Sequence, residues 1–390
     1  MITLTTAQNA LKTVYLEAIS SQLNQKVDPV FGMIKQSSDG VYGKNLMKMV
    51  PYGINGGLGA GTETGQLPEV GESKYVNFVT TLKNLYGKLE ISDKAIRSSL
   101  DDEGAFVNLL NTEMENLLLS SKFNLSRMFW GDGTGSLSPI TAVDVNNKTM
   151  TVSNILSFVE GMVLSFYKEG ELDPNMSAVT VLRVDRANTK VYLSNISGTF
   201  NTTNSSKYVC TVQGSKDLEL TGIGALFSDS ATLYGVTRAD HLSLMPFSHT
   251  KQSGEMVNDI FVQKMMDCVE INSNIQPNVV SCAGVTLYNI INNLVSYIKN
   301  MDITNLDGGV TSITLNGIPL IRNRFISTNK IYILNTDQFV LHQLCDWEWL
   351  THSDGSILKQ KEGYATYSAT LVKYADLICN KPNAQGIVTV

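Results

Sequence analysis

The sequence has little charge, few histidines and prolines, and no closely spaced cysteines. Charged residues make up 17% of the 390 residues, whereas a globular chain usually has about a quarter. The net charge of −6 argues against a dedicated DNA-binding protein, which concentrates lysine and arginine on one face. A surface with few charges causes little repulsion between copies of the chain. This composition favours a protein that buries surface against its neighbours.

The cysteines and histidines do not form a recognisable metal-binding pattern. The five cysteines are widely spaced and contain no Cys-x-x-Cys pair, so we expect reduced and mostly buried thiols. Among the four histidines, only His342 lies at ligand spacing from a cysteine, Cys345, and no second pair accompanies them. No apolar run approaches the roughly 20 residues that span a bilayer. The residues after Met1 lack the apolar core of a secretory signal, so we expect a chain made and kept in a cytoplasm, with no membrane partner.

Sequence motifs of enzymes are also missing. The segment Gly-Asp-Gly-Thr-Gly at 131–135 lacks the Walker lysine and follows a predicted helix, so it predicts a helix-ending turn. No Gly-x-Ser-x-Gly elbow is present. The acidic residues 101–103 lie at a predicted helix start, where negative charge complements the helix dipole. We therefore expect no catalytic residue, no cofactor and no metal.

Residues 44–91 predict a long β-hairpin with a flexible tip. A strand-like run at 44–52 leads into a glycine-rich tip. Its glycines are Gly53, Gly56, Gly57, Gly59, Gly61 and Gly65. Residues 75–91 then alternate between apolar and polar, with a phase break between Leu82 and Leu85 that is typical of a bulge or bend. Because an isolated hairpin is marginally stable in water, this one must lie on its own domain or on a neighbouring chain.

The remaining patterns predict a mixture of helices and strands. Residues 5–24 are typical of an amphipathic helix, and 101–130 of a long one. The apolar stripe of the long helix consists of Phe106, Leu110, Met114, Leu117, Leu125 and Met128. Residues 138–215 contain short β-branched runs between turn residues, which indicates a small barrel or sandwich. Beyond 215, helices are predicted at 257–271 and 285–301, with strands at 312–315, 319–322, 330–334, 366–377 and 386–390.

This order of elements resembles the major capsid proteins of tailed bacteriophages, the Hong Kong 97 type. Residues 86–98 (YGKLEISDKAIRS) resemble the descending side of the family's extended loop. Residues 103–130 resemble its spine helix, and the turn at 131–135 stands where these proteins often place one. Residues 343–350 (QLCDWEWL), followed by 363–382, resemble the closing region of one phage subgroup. The inserted β-like residues 138–215 depart from the core fold.

The resemblance implies an α+β capsid fold with seven segments. They are an N-terminal arm at 1–45, an extended loop at 46–92, a spine helix in a peripheral domain at 93–137, an inserted β-domain at 138–215, the continued peripheral domain at 216–275, an axial domain at 276–354, and closing strands at 355–390.

The resemblance also implies a function and partners. Family members build a phage head around double-stranded DNA from pentamers and hexamers, and mature from a procapsid. The implied partners are further copies of the chain, a separate scaffolding protein, a portal, a decoration protein and non-specifically bound packaged DNA. The implied location is the virion capsid, assembled in the cytoplasm of a bacterial host.

The expected subunit contacts lie in the extended loop and near the closing region. Besides the six glycines, the candidates are Tyr75, Phe78, Lys83, Lys88, Trp347 and Trp349. Glycine tolerates many backbone angles, which suits one chain to several slightly different positions in a closed shell. Three other functions stay open. They are an encapsulin-like compartment shell, a β-rich adhesion module, and, with the least support, an enzyme.

Overall fold

The computed structural model describes residues 23, 28–53, 55–66, 69–94, 103–197, 200, 203, 207–295, 303–306, 310–351 and 355–390. The helix predicted at 5–24 lies outside the described residues, apart from Leu23. The α-helices in the described part are α1 (Pro29–Gly32), α2 (Glu103–Trp130), α3 (Ile223–Leu226), α4 (Asp259–Ser273) and α5 (Gly284–Val295). Short 3-10 helices occupy Ile155–Ser157, Pro174–Met176, Arg238–Asp240, Leu242–Leu244, Thr336–Gln338 and Pro382–Ala384.

The strands follow the sequence from end to end. They are β1 (Lys35–Ser37), β2 (Val41–Tyr42), β3 (Asn45–Pro51), β4 (Tyr75–Thr81), β5 (Lys83–Ser92), β6 (Ile140–Asp144), β7 (Thr149–Val152), β8 (Val163–Lys168), β9 (Glu171–Leu172), β10 (Val179–Asp185), β11 (Lys190–Leu193), β12 (Tyr208–Val212), β13 (Thr232–Leu233), β14 (Val236–Thr237), β15 (Phe247–Thr250), β16 (Val279–Cys282), β17 (Ile303–Leu306), β18 (Val310–Leu315), β19 (Ile318–Arg322), β20 (Lys330–Leu334), β21 (Phe339–Trp349), β22 (Lys359–Gln360), β23 (Thr366–Cys379) and β24 (Gly386–Thr389).

The first sheet is organised around the long strand β23. Strands β21 and β22 pair with one edge of β23, β5 pairs with its other edge, and β1 adds a parallel strand beside β21. The predicted phase break is confirmed, because β4 ends at Thr81, Leu82 lies outside both strands, and β5 begins at Lys83. The inward residues of β5 are buried together with residues of α2. Alternation along β5 therefore turns one face of this sheet towards the long helix.

The long helix α2 packs on the first sheet through its predicted stripe. Met114 and Leu125 are buried, and Leu117 and Met128 are partly buried against the same core. The side chains of Phe106 and Leu110 lie outside the described residues. A 28-residue helix extends for about 42 Å at 1.5 Å per residue. Helix α2 therefore extends along the whole width of a typical small domain.

The turn after α2 requires glycine at two positions. Gly133 and Gly135 have φ angles of +88° and +77°, which disfavour residues with a Cβ atom. A Cβ atom at Gly135 would also lie 2.6 Å from the carbonyl oxygen of Ser215. The predicted helix-ending turn at 131–135 is therefore confirmed.

Residues 137–212 form a compact β unit with its own hydrophobic core. The sheet order is β12-β8-β10-β11-β7-β6, and β9 extends β8. The buried core residues of this unit all fall between Leu137 and Cys210. The amide of Leu137 donates to the carbonyl oxygen of Cys210 at 2.9 Å, so the chain enters and leaves the unit at neighbouring points. An insertion with adjacent ends disturbs its host fold little, because few contacts have to cross the boundary.

The second large sheet has the order β15-β24-β20-β16-β19-β18-β17. Helices α4 and α5 pack on it, with Met265, Val269 and Ile290 buried against the strands. The units do not follow the boundaries predicted from the sequence. Strand β21 lies within the predicted axial segment 276–354 but pairs with β23 in the first sheet. Helix α4 lies within the predicted peripheral segment 216–275 but packs on the second sheet. Strand pairing joins distant segments, so units in space need not be continuous in sequence.

Candidate assembly surface

The extended loop is a hairpin whose inner face packs on its own chain. Strands β3 and β4 pair in register from Asn45 opposite Thr81 to Pro51 opposite Tyr75. The buried inner residues form a small cluster with three residues from elsewhere in the chain. Its members are Leu46, Val50, Phe78, Leu82, Tyr234, Leu244 and Ile378. The base of the hairpin is thus fixed to the subunit by apolar packing.

The outer face of the hairpin is apolar and exposed. Met47 and Val79 face each other across the two strands, and their side chains are 51% and 40% exposed. Met49 and Tyr75 continue the same face at 61% and 56%. Four large apolar side chains on one exposed face are typical of an interaction surface. Tyr75 was predicted as a contact residue; the other three were missed, although the alternation with buried Leu46 and Phe78 could have placed them on the outer face.

The hairpin tip, defined here as residues 53–73, extends away from the subunit. Its described residues are exposed or half-exposed, and Leu58 and Val70 are 92% and 94% exposed. The predicted contact glycines Gly53, Gly56, Gly57, Gly59, Gly61 and Gly65 all lie in this tip. Burial of apolar side chains is the main favourable term in folding, so a tip that buries none of them contributes little to the stability of the isolated chain. The role of these glycines as subunit contacts stays a prediction.

Three of the predicted contact residues are buried inside the chain. Phe78 packs against Tyr234 with ring centroids 5.2 Å apart. Trp347 and Trp349 lie on β21 and are buried in the core shared with α2. The assignment of these three residues as contacts is therefore corrected, because a side chain with no exposed surface offers nothing to a neighbour. Sequence alternation shows that residues share a face, but it does not show which face is covered.

Lys83 and Lys88 remain accessible at opposite ends of β5. Lys83 Nζ lies 3.4 Å from the carbonyl oxygen of Asp217. Lys88 Nζ lies 2.5 Å from the carboxylate of Glu90, and Lys361 lies 3.7 Å from that carboxylate. These exposed ion pairs contribute little to stability. Both lysines are thus free to contact a neighbouring subunit, as predicted.

The buried carboxylate of Asp376 connects the hairpin to the first sheet. It accepts hydrogen bonds from Thr80 Oγ1 at 2.7 Å on β4 and from the amide of Thr221 at 2.9 Å. Thr221 Oγ1 and the amide of Leu377 are further donors. Burial raises the pKa of the Asp376 carboxyl above its usual 3.8, because desolvation of the charged form outweighs these hydrogen bonds. One titratable group therefore bonds to the strand that leads out to the tip.

We expect Asp376→Asn to change the pH dependence of stability. A carboxyl whose pKa is raised by folding holds its proton more tightly in the folded chain. Its contribution to stability is greatest below pH 3.8 and declines as pH rises through the raised folded pKa. Asparagine does not titrate, so the variant should lose less stability than the natural chain as pH increases through that window. Urea unfolding at a series of pH values measures this difference.

Asp144→Asn is the matched control for this prediction. The pKa of exposed Asp144 is lowered, chiefly by hydrogen bonds from Asn147. Its stabilising contribution is therefore lost as pH falls rather than as it rises. The two variants should deviate from the natural chain in opposite directions. Parallel stability curves for Asp376→Asn and the natural chain would show that this carboxyl does not titrate as inferred.

The described part of the chain offers no metal cluster and no membrane-spanning helix. No group of three histidine, cysteine or acidic side chains lies close enough there to hold a metal ion. His342 bonds through Nδ1 to the carbonyl oxygen of Asp39 at 2.8 Å rather than pairing with Cys345. All five cysteines are free thiols, with Cys210, Cys282 and Cys379 buried. None of the described helices combines the length and apolarity needed to cross a membrane.

The overall structure resembles solved capsid chains. A chain of the capsid asymmetric unit of cyanophage A-1(L) matches with a TM-score of 0.56 and 10% identity, covering 93% of this chain and 92% of that one. The satellite phage P4 procapsid that includes the size determination protein matches at 0.46 and 9%, covering 96% and 90%. The holo-SrpI encapsulin complex of Synechococcus elongatus matches at 0.44 and 9%, covering 91% and 84%. No family model and no curated protein matches the sequence.

The match to the cyanophage chain covers the hairpin, the long helix and both large sheets in one superposition. This chain therefore has the fold of tailed-phage major capsid proteins. The expected α+β class and Hong Kong 97-type fold are confirmed.

Proposed function

We propose that the chain is the repeating subunit of a closed protein shell, the head of a tailed phage that encloses double-stranded DNA. The observation that carries this proposal is the hairpin, whose outer face and tip expose apolar surface that its own chain does not cover. Exposed apolar surface of this kind gains free energy when a second molecule covers it. Further copies of the chain are the partners that a capsid fold supplies.

The parts of the fold correspond to roles in such a shell. We assign the first sheet with α2 to the peripheral domain and the second sheet with α4 and α5 to the axial domain, around which pentamers and hexamers form. The hairpin reaches a neighbouring subunit, and weak contacts of this kind add up because many act at once in a closed assembly. We place the 137–212 unit at a subunit boundary or on the outer surface, where a decoration protein binds.

Assembly is proposed to begin with a procapsid in the bacterial cytoplasm. A separate scaffolding protein and a portal are the further partners, and the virion is the final location. The subunit acts by binding its copies and carries out no catalytic step. The lack of recognised enzyme motifs in the sequence agrees with this role.

Electron microscopy of the expressed chain tests the proposal. We expect closed particles, either from the chain alone or when the genes adjacent to its own are expressed with it. Mass spectrometry of the purified particles then distinguishes the two kinds of shell. Portal protein, scaffolding protein and DNA indicate a phage head, whereas a single cargo enzyme indicates an encapsulin-like compartment. A folded chain that stays monomeric under all of these conditions would contradict the proposal.

A further inference from the structure

A cleft on the far side of α2 is lined by positive charge. Its volume is about 360 Å³, and the cations in its wall are Lys122, Arg322 and Arg324. Arg186 from the 137–212 unit is close enough for its charge to lower the pKa of Arg324, after the larger effect of partial burial. Four cations thus gather at one place in a chain whose net charge is −6.

These cations lack the partners that surface cations usually have. Within the described ranges, none of the four forms an ion pair, although Lys88, Lys207 and Lys373 each do. The carboxylate in the cleft wall, Asp28, is buried. It accepts hydrogen bonds from Val30, Ser126, Trp130 and Asn323. The positive charge of the cleft is therefore not neutralised by the described part of its own subunit.

Two further features position the arginines. The guanidinium of Arg324 lies 5.1 Å from the ring centroid of Phe123 and 5.4 Å from that of Phe325. Such ring contacts hold a guanidinium in place without cancelling its charge. The side chain of Arg322 lies against the first residue of α5, since a Cβ atom at Gly284 would be 2.9 Å from Arg322 Cδ. The positive end of that helix dipole adds to the local potential.

The cleft and the hairpin lie on opposite sides of the first sheet. Gly87 on β5 faces Leu117 and Ser121 of α2, whereas the cleft is lined by Leu119, Lys122 and Phe123 on the other side of the helix. The hairpin packs on the opposite face of the sheet through Ile378. A ligand in the cleft therefore does not compete with hairpin contacts between subunits.

We propose that this cleft binds the phosphate backbone of double-stranded DNA, and that it is the site at which the wall of the shell contacts its contents. The inference rests on the proposed function. Arginine donates paired hydrogen bonds to phosphate oxygens, and contacts to phosphates alone bind DNA without regard to sequence. Cations contributed by α2, by the loop after β19 and by the 137–212 unit suit an extended polyanion better than a single small anion.

A salt-dependent binding measurement tests the site. Fluorescence anisotropy of a labelled DNA duplex of about 30 base pairs is measured with the full chain at several salt concentrations. Each phosphate contact contributes about 0.9 to the slope of log affinity against log salt. We expect Arg322→Gln/Arg324→Gln to lower the slope by about 2 and to weaken binding about tenfold near 0.1 M salt. Lys122→Gln/Arg186→Gln is a second variant with the same expected direction.

The matched control removes two exposed cations elsewhere, Lys264→Gln/Lys359→Gln, and should change DNA affinity less than about twofold. Three results would overturn the site: no DNA binding by the natural chain at low salt, equal loss in control and cleft variants, or unchanged affinity in both cleft variants. Poly-glutamate serves as a competing probe. Loss of poly-glutamate binding with retained DNA binding would assign the cleft to an acidic protein segment instead. Shell formation is followed separately by electron microscopy, so failure of assembly and failure of this site are distinguishable.

Discussion

Replacing the hairpin tip, residues 53–73, with a two-residue Asn-Gly turn is expected to abolish shell formation while the subunit stays folded. The hairpin can close this way because Pro51 and Tyr75 pair directly and the amide of Tyr52 donates to the carbonyl oxygen of Lys74 at 3.0 Å. Asn-Gly is the preferred pair for such a tight turn. The described tip residues bury little surface, so the free energy of unfolding should change by only about 0.5 kcal/mol.

The assembled state should respond much more strongly than the monomer. A closed shell repeats the same contact at every subunit, so a small loss per contact is multiplied over the particle. Sedimentation velocity and electron microscopy report the loss of particles, and thermal unfolding reports the integrity of the monomer. A Gly-Ser linker of the same length as the tip separates the effect of sequence from that of reach. Particles of normal size from the Asn-Gly variant would rule out the tip as an assembly element.

Removing the carboxylate of Glu219 is expected to destabilise the subunit more than any exposed charge substitution. Glu219 pairs with Arg127 in the last turn of α2 through two hydrogen bonds of 2.5 and 2.9 Å. Both side chains are buried, with 4% and 7% of their surface exposed. Glu219→Gln leaves the guanidinium buried without a counter-charge, and breaking such a pair costs about 3–5 kcal/mol.

The size of this effect follows from the position of the pair in the fold. Glu219 lies where the chain returns from the 137–212 unit, so the pair joins that return to the end of α2. Urea unfolding measures the loss. The double variant Arg127→Met/Glu219→Leu removes both charges and should recover much of the stability, because an apolar pair of similar size avoids the desolvation cost. Glu169→Gln, which breaks the exposed pair with Lys207, should leave the unfolding midpoint unchanged. A loss no larger than that of Glu169→Gln would contradict the buried-pair argument.

The candidate site was only partly predictable from the sequence. Tyr75, Lys83 and Lys88 are accessible as predicted, but Met47, Met49 and Val79 were missed, and Phe78, Trp347 and Trp349 are buried instead. The difference arises because Phe78 and Val79 are adjacent in one strand and alternate between its faces. Only the contact with Tyr234 decides which face is covered. The basic cleft was not predictable either, since Lys122, Arg186 and Arg322 lie far apart in the chain.

The sequence by itself determined the order and type of the elements. The period of two along β5, the three- and four-residue steps of α2 and the glycines at 131–135 are local patterns, and backbone geometry makes such patterns readable over a few residues. Only the tertiary structure decided which segments meet. Val372 pairs with Tyr86, Asp376 accepts a hydrogen bond from Thr80, and Arg127 pairs with Glu219. These contacts join residues far apart in the chain, so their free energy depends on packing across the whole fold and leaves no local pattern in the sequence.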